Sequence, residues 1–282
     1  MKLYAYAKIN LSLFLTGTKD GLHLLDSVML TCKDLKDTII IKKAKTDSLN
    51  FFGTQSDKID INNNTVKKAL DLFRKNTNNY TPLCIKVIKN IPVMAGLGGS
   101  SADAACLLRG LCKMFGLDIN DKKILDAAKN TGSDVPYMLK MRAARVSGTG
   151  DNIEHLKNNT KLYTVIAMDG EVSTKKCFDA FDSLDCPYSD NSSNDRLITA
   201  LYNNDYINII KNIKNDLYDA AVSVNPDILQ TQSLLQKTNA DIVCMTGSGG
   251  AFFAVTSKKR LQKTIYDSLK GKTKYIFKTD II

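Results

Sequence analysis

Between residues 7 and 15 the chain alternates strictly, with Ala7, Ile9, Leu11, Leu13 and Leu15 on one face and Lys8, Asn10, Ser12 and Phe14 on the other. A period of two is that of a half-buried strand. Taken alone, it places Lys8 and Asn10 on a solvent face. Asp20-Gly21 marks a turn, after which an apolar-rich segment runs to Cys32 with His23 near its start. Residues 38–43 and 48–52 read as short strands. Val66, Ala69, Leu70 and Phe73 form the stripe of a helix entered from residues 62–64, and LCIKVIK at 83–89 is a further strand.

The next stretch, PVMAGLGGSSADAA at 92–105, sets Gly96, Gly98 and Gly99 before a helical pattern of Ala104, Leu107, Leu108, Leu111 and Phe115 that ends at Gly116. Glycines open backbone conformations in which successive N–H groups converge on one point, and a helix N-terminus adds unpaired donors and the positive end of the dipole. Strand, glycine loop and helix in that order suit a phosphate. Ser100 or Ser101 is expected to cap the helix, with Asp103 as the acid of a capping box.

A second helix is expected over 121–130. Pro136 restricts Val135 to extended geometry, which leaves Asp134 on a loop. Strand character returns at 143–147 and breaks at Gly148-Thr149-Gly150. The second half begins with a strand at 162–168 and a helix capped by Ser173, then a polar loop at 185–195 and a run of helical patterns. Strands at 242–245 and 251–256 flank Gly247-Ser248-Gly249-Gly250, and a helix with Leu261, Ile265 and Leu269 leads to a last strand at 274–278.

Length and charge narrow the classes. At 282 residues the chain can bury a large core, and two domains are expected. The formal charge of +10 is carried by lysines scattered along the chain, and the arginines that bidentate base or phosphate reading favours are few. Anionic small molecules are therefore the expected partners rather than nucleic acid. No apolar run reaches membrane-span length, and the N-terminus enters a strand pattern without signal-peptide anatomy, so neither a membrane nor export is expected and the compartment is read as cytoplasmic. Seven cysteines without a CxxC pair, beside isolated His23 and His155, point to reduced thiols rather than to zinc or disulfides.

GLGGSSA lacks the Lys-Ser/Thr ending of a Walker A loop and the third glycine of GxGxxG. Phosphoryl transfer needs phosphate positioning, positive charge around the moving group and a carboxylate near the attacking hydroxyl. N–H groups of residues 98–101, a serine hydroxyl toward magnesium, Lys8 and Asp134 are candidates for these tasks.

These segments resemble the motifs of the GHMP kinase superfamily. PVMAGLGGSSADAA is similar to its second motif and MTGSGGAFFAV to its third. Within it, AKINLSLFLTGTKDGLH, GSDVPYML, VSTKKCF and KNDLYDAAV resemble segments of the family that phosphorylates 4-diphosphocytidyl-2-C-methyl-D-erythritol. The resemblance implies an α+β, two-domain fold (1–154 and 155–282) with the active cleft between the domains, and an ATP-dependent kinase of the non-mevalonate isoprenoid pathway that uses Mg2+ with the nucleotide. Its implied catalytic pair is Lys8 and Asp134. The implied nucleotide loop is Pro92, Val93, Met94, Ala95, Gly96, Leu97, Gly98, Gly99, Ser100 and Ser101. Asn10, His23, Phe178, Gly247, Ser248, Gly249 and Gly250 are the implied substrate contacts, His23 at a cytosine edge and Phe178 as its aromatic wall. On this reading the Lys8/Asn10/Ser12 face lines the cleft instead of facing solvent, and no residue is assigned as a metal ligand.

Three positions depart from the family pattern. Leu22 stands where a stacking Tyr is usual, Tyr6 where Pro is usual, and Tyr218 where an acid is common. Another small-molecule kinase of the superfamily, for homoserine or mevalonate, and a nucleotide-binding relative without turnover are the competing readings. Monomer and homodimer are both open.

Overall fold

The computed structural model describes residues 1–158, 160–190 and 192–281, with the side chain of Ser193 outside that description. Contacts divide it into two compact units that interleave along the chain. The first comprises Met1–Ala7, Lys36–Val93 and Gly98–Met141; the second comprises Lys8–Leu35, Met94–Leu97 and the chain from Arg142 onward. The boundaries therefore fall inside two long strands, β1 (Lys2–Lys19) and β2 (Leu22–Lys43), which pair with each other. Asp20 and Gly21 join them at φ 50° and 75°, the two left-handed residues of a type I′ turn. The segments expected at 7–15, 22–32 and 38–43 are thus parts of two continuous strands.

In the first unit, β3 (Ser48–Gly53), α1 (Thr65–Thr77) and β4 (Leu83–Lys89) form a crossover in which β3 runs parallel to β4, Ser48 opposite Cys84. The end of β2 pairs antiparallel with β4, Thr38 opposite Ile88. The stripe of Val66, Ala69, Leu70 and Phe73 is buried, and Asn64 caps α1 by accepting from the Lys67 N–H at 2.8 Å. Three helices follow, α2 (Gly99–Phe115), α3 (Lys122–Thr131) and α4 (Val135–Lys140).

Two local expectations are corrected here. The N-cap of α2 is Gly98, at φ 67° and without a side-chain cap, not Ser100 or Ser101. The Asp103 carboxylate turns inward to the Lys89 ammonium at 2.5 Å, because a buried cation is a stronger partner than a backbone N–H. Val135 and Pro136 open α4 with Asp134 as its N-cap residue. Proline is tolerated in a first turn, where its missing N–H has no partner to lose, and this overrides the extended bias on the residue before it.

The second unit holds β5 (Ala144–Gly148), β6 (Asn152–His155), β7 (Leu162–Met168), α5 (Thr174–Ser183), α6 (Ser193–Tyr202), α7 (Tyr206–Lys211), β8 (Lys214–Asn215), α8 (Tyr218–Val224), α9 (Ile228–Gln236), β9 (Ile242–Met245), β10 (Ala251–Thr256), α10 (Lys259–Leu269) and β11 (Tyr275–Ile281). Strands β11, β7, β10 and β9 lie side by side and antiparallel. Earlier in the chain, β2 pairs with β5 and β1 with the short β8, Ser12 opposite Lys214. Leu13, Leu15, Val165, Phe181, Leu217, Ile228, Phe252 and Ile265 are buried in one core. Ser173 is the N-cap residue of α5, as expected, but its side chain makes no capping hydrogen bond.

The alternation of β1 is real, but its polar side is not a solvent face. Lys8 is 3 % exposed, Asn10 1 % and Ser12 0 %. Buried polar groups of this kind persist only when their hydrogen bonds are met within the protein.

Candidate active site

In the second unit, β1 at Lys8 and Asn10, residues 94–97 and the glycine turn before β10 come together. Lys8 N–H donates to the Leu97 carbonyl at 3.0 Å, Ala251 N–H to the Ala95 carbonyl at 3.2 Å and Asn10 N–H to Thr246 Oγ1 at 3.0 Å. The Asn215 amide donates to the Met245 and Gly247 carbonyls at 3.0 and 2.8 Å, and the Ser248 and Thr174 hydroxyls lie 2.7 Å apart. Gly96 has φ 74°, and a Cβ there would stand 2.1 Å from the Thr246 oxygen; one on Gly247 would stand 2.7 Å from the Gly96 oxygen. The two glycine segments touch backbone to backbone, which only glycine permits. Gly96→Ala is accordingly expected to destabilise the protein by about 2 kcal/mol, through left-handed strain and displacement of the Thr246 carbonyl, and to weaken nucleotide binding. Thermal melts with and without ATP measure both.

Lys8 donates from Nζ to Asn10 Oδ1, and Asn10 Nδ2 donates to Ser27 Oγ at 2.7 Å. The implied lysine is therefore held by an amide whose two ends are both engaged. His23 Nε2 lies 2.8 Å from Asp182 Oδ1, and its ring centroid is 5.0 Å from that of Phe178 at an interplanar angle of 37°. Structure thus brings together His23 and Phe178, and separately Lys8, Asn10, Ala95 to Leu97 and Gly247 to Gly250. Thr246, Asn215, Ser27 and Asp182 were missed by sequence reasoning. Asn215 lies in the KNDLYDAAV segment; the others carry no local motif, since a lone Thr, Ser or Asp has no period.

Of the remaining residues of the sequence reading, Met94 belongs to the second unit and Pro92, Val93, Gly98 to Ser101 and Asp134 to the first. Pro92 and Val93 enter the loop, where Val93 N–H donates to Gln55 Oε1 at 2.9 Å. Met94, Gly96 and Gly98 take φ values of 54°, 74° and 67°, so the backbone of the loop reverses hand repeatedly before α2. Gly99, Ser100 and Ser101 form the first turn of α2, and Asp134 begins α4. The first turn of an α-helix presents unbonded N–H groups and the positive dipole end, a fit for polyphosphate.

All seven cysteines are free, and burial pushes the thiols of Cys177 and Cys244 up to about 12 and those of Cys106 and Cys112 to about 11, far from the nucleophilic thiolate. Among the described residues no group of three His, Cys, Asp or Glu side chains is placed to hold a metal ion. No helix among them is long and apolar enough to cross a membrane.

Family models supply the class. The GHMP kinases N terminal domain matches residues 64–140, and the GHMP kinases C terminal domain matches 197–274. The chain belongs to the GHMP kinase family, whose kinases use ATP. Among its relatives is the 4-diphosphocytidyl-2-C-methyl-D-erythritol kinase of Caldicellulosiruptor saccharolyticus, 35% identical over 96% of this chain and 91% of that one. A crystal structure of 4-(cytidine 5'-diphospho)-2C-methyl-D-erythritol kinase shares the fold, with a TM-score of 0.82 and 23% identity over 100% of this chain and 99% of that one. A crystal structure of L. major mevalonate kinase in complex with R-mevalonate also shares it, at TM-score 0.75 and 15% identity over 100% and 95% of the two chains.

Proposed function

We propose that this protein transfers the γ-phosphoryl group of ATP to the 2-hydroxyl of 4-diphosphocytidyl-2-C-methyl-D-erythritol, a step of the non-mevalonate route to isoprenoid precursors. The observation that carries the reading is the 35% identity to a kinase of that name along nearly the whole chain. The family fold alone does not select the acceptor, because a mevalonate kinase has it too. The cytidylated acceptor is supported by His23, which is braced by Asp182 and lies against Phe178, where an edge and a face would serve a planar base.

In this mechanism the loop 92–101 lines the nucleotide phosphates, the backbone N–H groups of residues 98–101 would hold them, and Ser100 or Ser101 would hold the Mg2+ that accompanies the nucleotide. Asp134 takes the proton of the attacking hydroxyl, and Lys8 offsets the charge that develops on the acceptor and the moving phosphoryl group. Asn10 supports Lys8, and Gly247 to Gly250 border the substrate near the phosphates. On this reading residues 1–154 form the nucleotide domain and 155–282 the second domain, with one family match, at 64–140, in the first and the other, at 197–274, in the second. The setting is the cytoplasm.

Phosphorus NMR of the protein with ATP, Mg2+ and the cytidylated substrate tests the reading: a new phosphomonoester signal that grows as ATP becomes ADP is expected. Transfer to homoserine or mevalonate instead, or ATP binding without transfer, would overturn it. Leu22 is 59% exposed and offers no ring, so Leu22→Tyr is expected to lower the KM for the cytidylated substrate about tenfold, within the range of one base–aromatic stack. Steady-state kinetics at saturating ATP check this.

A further inference from the structure

We infer that Ser27 is a positioning residue for Lys8, acting through the orientation of the Asn10 amide; this rests on the role given to Lys8 above. The direction of each hydrogen bond makes the argument. Ser27 Oγ donates to the Ser12 carbonyl at 2.6 Å. With its single proton committed there, the hydroxyl has only lone pairs left for Asn10. It accepts from Asn10 Nδ2 at 2.7 Å, which turns Asn10 Oδ1 toward the Lys8 ammonium. The opposite amide orientation would set a donor against an ammonium that has only donors. It would also set the Asn10 oxygen against a hydroxyl whose proton is spent.

Ser12 anchors this arrangement on the neighbouring strand. Its carbonyl takes the Ser27 proton, and its own Oγ accepts the Val28 N–H at 3.1 Å, so β1 and β2 clasp each other reciprocally. The Ser12 hydroxyl then donates to Asn194 Oδ1 in α6. Ser12, Ser27 and Asn194 are fully buried, and water does not compete for these bonds. Nothing in the chain from Ser27 to Lys8 is spent on backbone regularity, since every link but the Ser12 carbonyl and the Val28 N–H is a side chain. A buried side-chain chain of this kind fixes one orientation of a group that would otherwise have two.

The test compares Ser27→Thr with Ser27→Val, which have the same shape and differ by the hydroxyl. In the first, kcat is expected within about twofold of the wild type; in the second it falls about tenfold with both KM values within about twofold, as a misplaced catalytic group behaves. Equal kcat in the two variants would overturn the inference. Hydrogen exchange of the Asn10 side-chain amide, read in nitrogen-15 spectra, needs no turnover. It is expected to be slow in the wild type and Ser27→Thr and at least about tenfold faster in Ser27→Val, and unchanged exchange would overturn the inference independently. Ser27→Ala gives the same reading of exchange if the extra methyl groups do not fit. A wild type that transfers no phosphate would sink the proposed function and leave the exchange result to decide the role of Ser27.

Discussion

Asp134→Asn is expected to lower kcat for phosphorylation of the cytidylated methylerythritol by about 10³-fold or more, in the upper part of the range for loss of a general base, with ATP binding nearly unchanged. Asn keeps the shape of Asp and removes its ability to take a proton. Asp134 stands at the N-cap of α4 without a capping hydrogen bond from its side chain, so α4 does not lose a cap when the carboxylate goes. The reaction needs the carboxylate, because the acceptor hydroxyl must lose its proton as the phosphorus–oxygen bond forms. Single-turnover mixing with ATP bound separates chemistry from binding. Turnover like that of the wild type would mean that the hydroxyl attacks without this base and that Asp134 is an ordinary loop-capping residue.

How far such a site is legible in the chain depends on the kind of signal. Period-two alternation located β1 and registered Lys8, Asn10 and Ser12 on one face, because register is a local property. It could not say what covers that face. Residues 94–97, Thr246, Ser27 and Asn194 cover it, and they come from as far as 236 positions away, as the Asn10 to Thr246 bond shows. The glycine loop leading into a helix was legible from composition, whereas its cap was misread. Ser100, Ser101 and Asp103 satisfy the local grammar of a capping box, but Lys89 waits in the core for Asp103, and a buried ion pair outweighs a local hydrogen bond. Gly98 takes the cap in a left-handed conformation instead. His23 and Phe178 read singly as a stray imidazole and a helical apolar residue; only the fold sets their rings 5.0 Å apart.

That same Lys89 carries the largest expected effect on stability. Lys89, Asp37 and Asp103 are at most 2% exposed, and the ammonium bonds both carboxylates. Burial disfavours the Lys89 charge, yet the two carboxylates outweigh it and hold the group protonated above its ordinary range. Asp103 is pushed up, by burial first and by the charge of Asp37, with Lys89 opposing. Lys89→Met keeps the volume and strands two carboxylates without a cation, which is expected to cost about 3–5 kcal/mol and about 10 °C in melting temperature. The pH dependence has a definite sign. A carboxyl whose folded pKa is raised binds its proton more tightly when folded, so its contribution falls as pH rises past the unfolded value near 4. The penalty in Lys89→Met should therefore be smaller at pH 5 than at pH 8. Asp103→Asn, which removes the titrating charge, should gain on the wild type over the same interval. Placement links this stability to the nucleotide loop. Asp37 Oδ1 accepts the Asn90 and Ile91 N–H groups at 2.5 and 2.8 Å, immediately before Pro92, while Asp103 sits on the first turns of α2. With Lys89 gone both ends lose their common tie, and the KM for ATP is expected to rise together with the fall in melting temperature. Recovery of both in Lys89→Met/Asp103→Asn, measured as a double-mutant cycle, would show that the stranded charge is the cause. A Lys89→Met protein that melts like the wild type at pH 8 would exclude it.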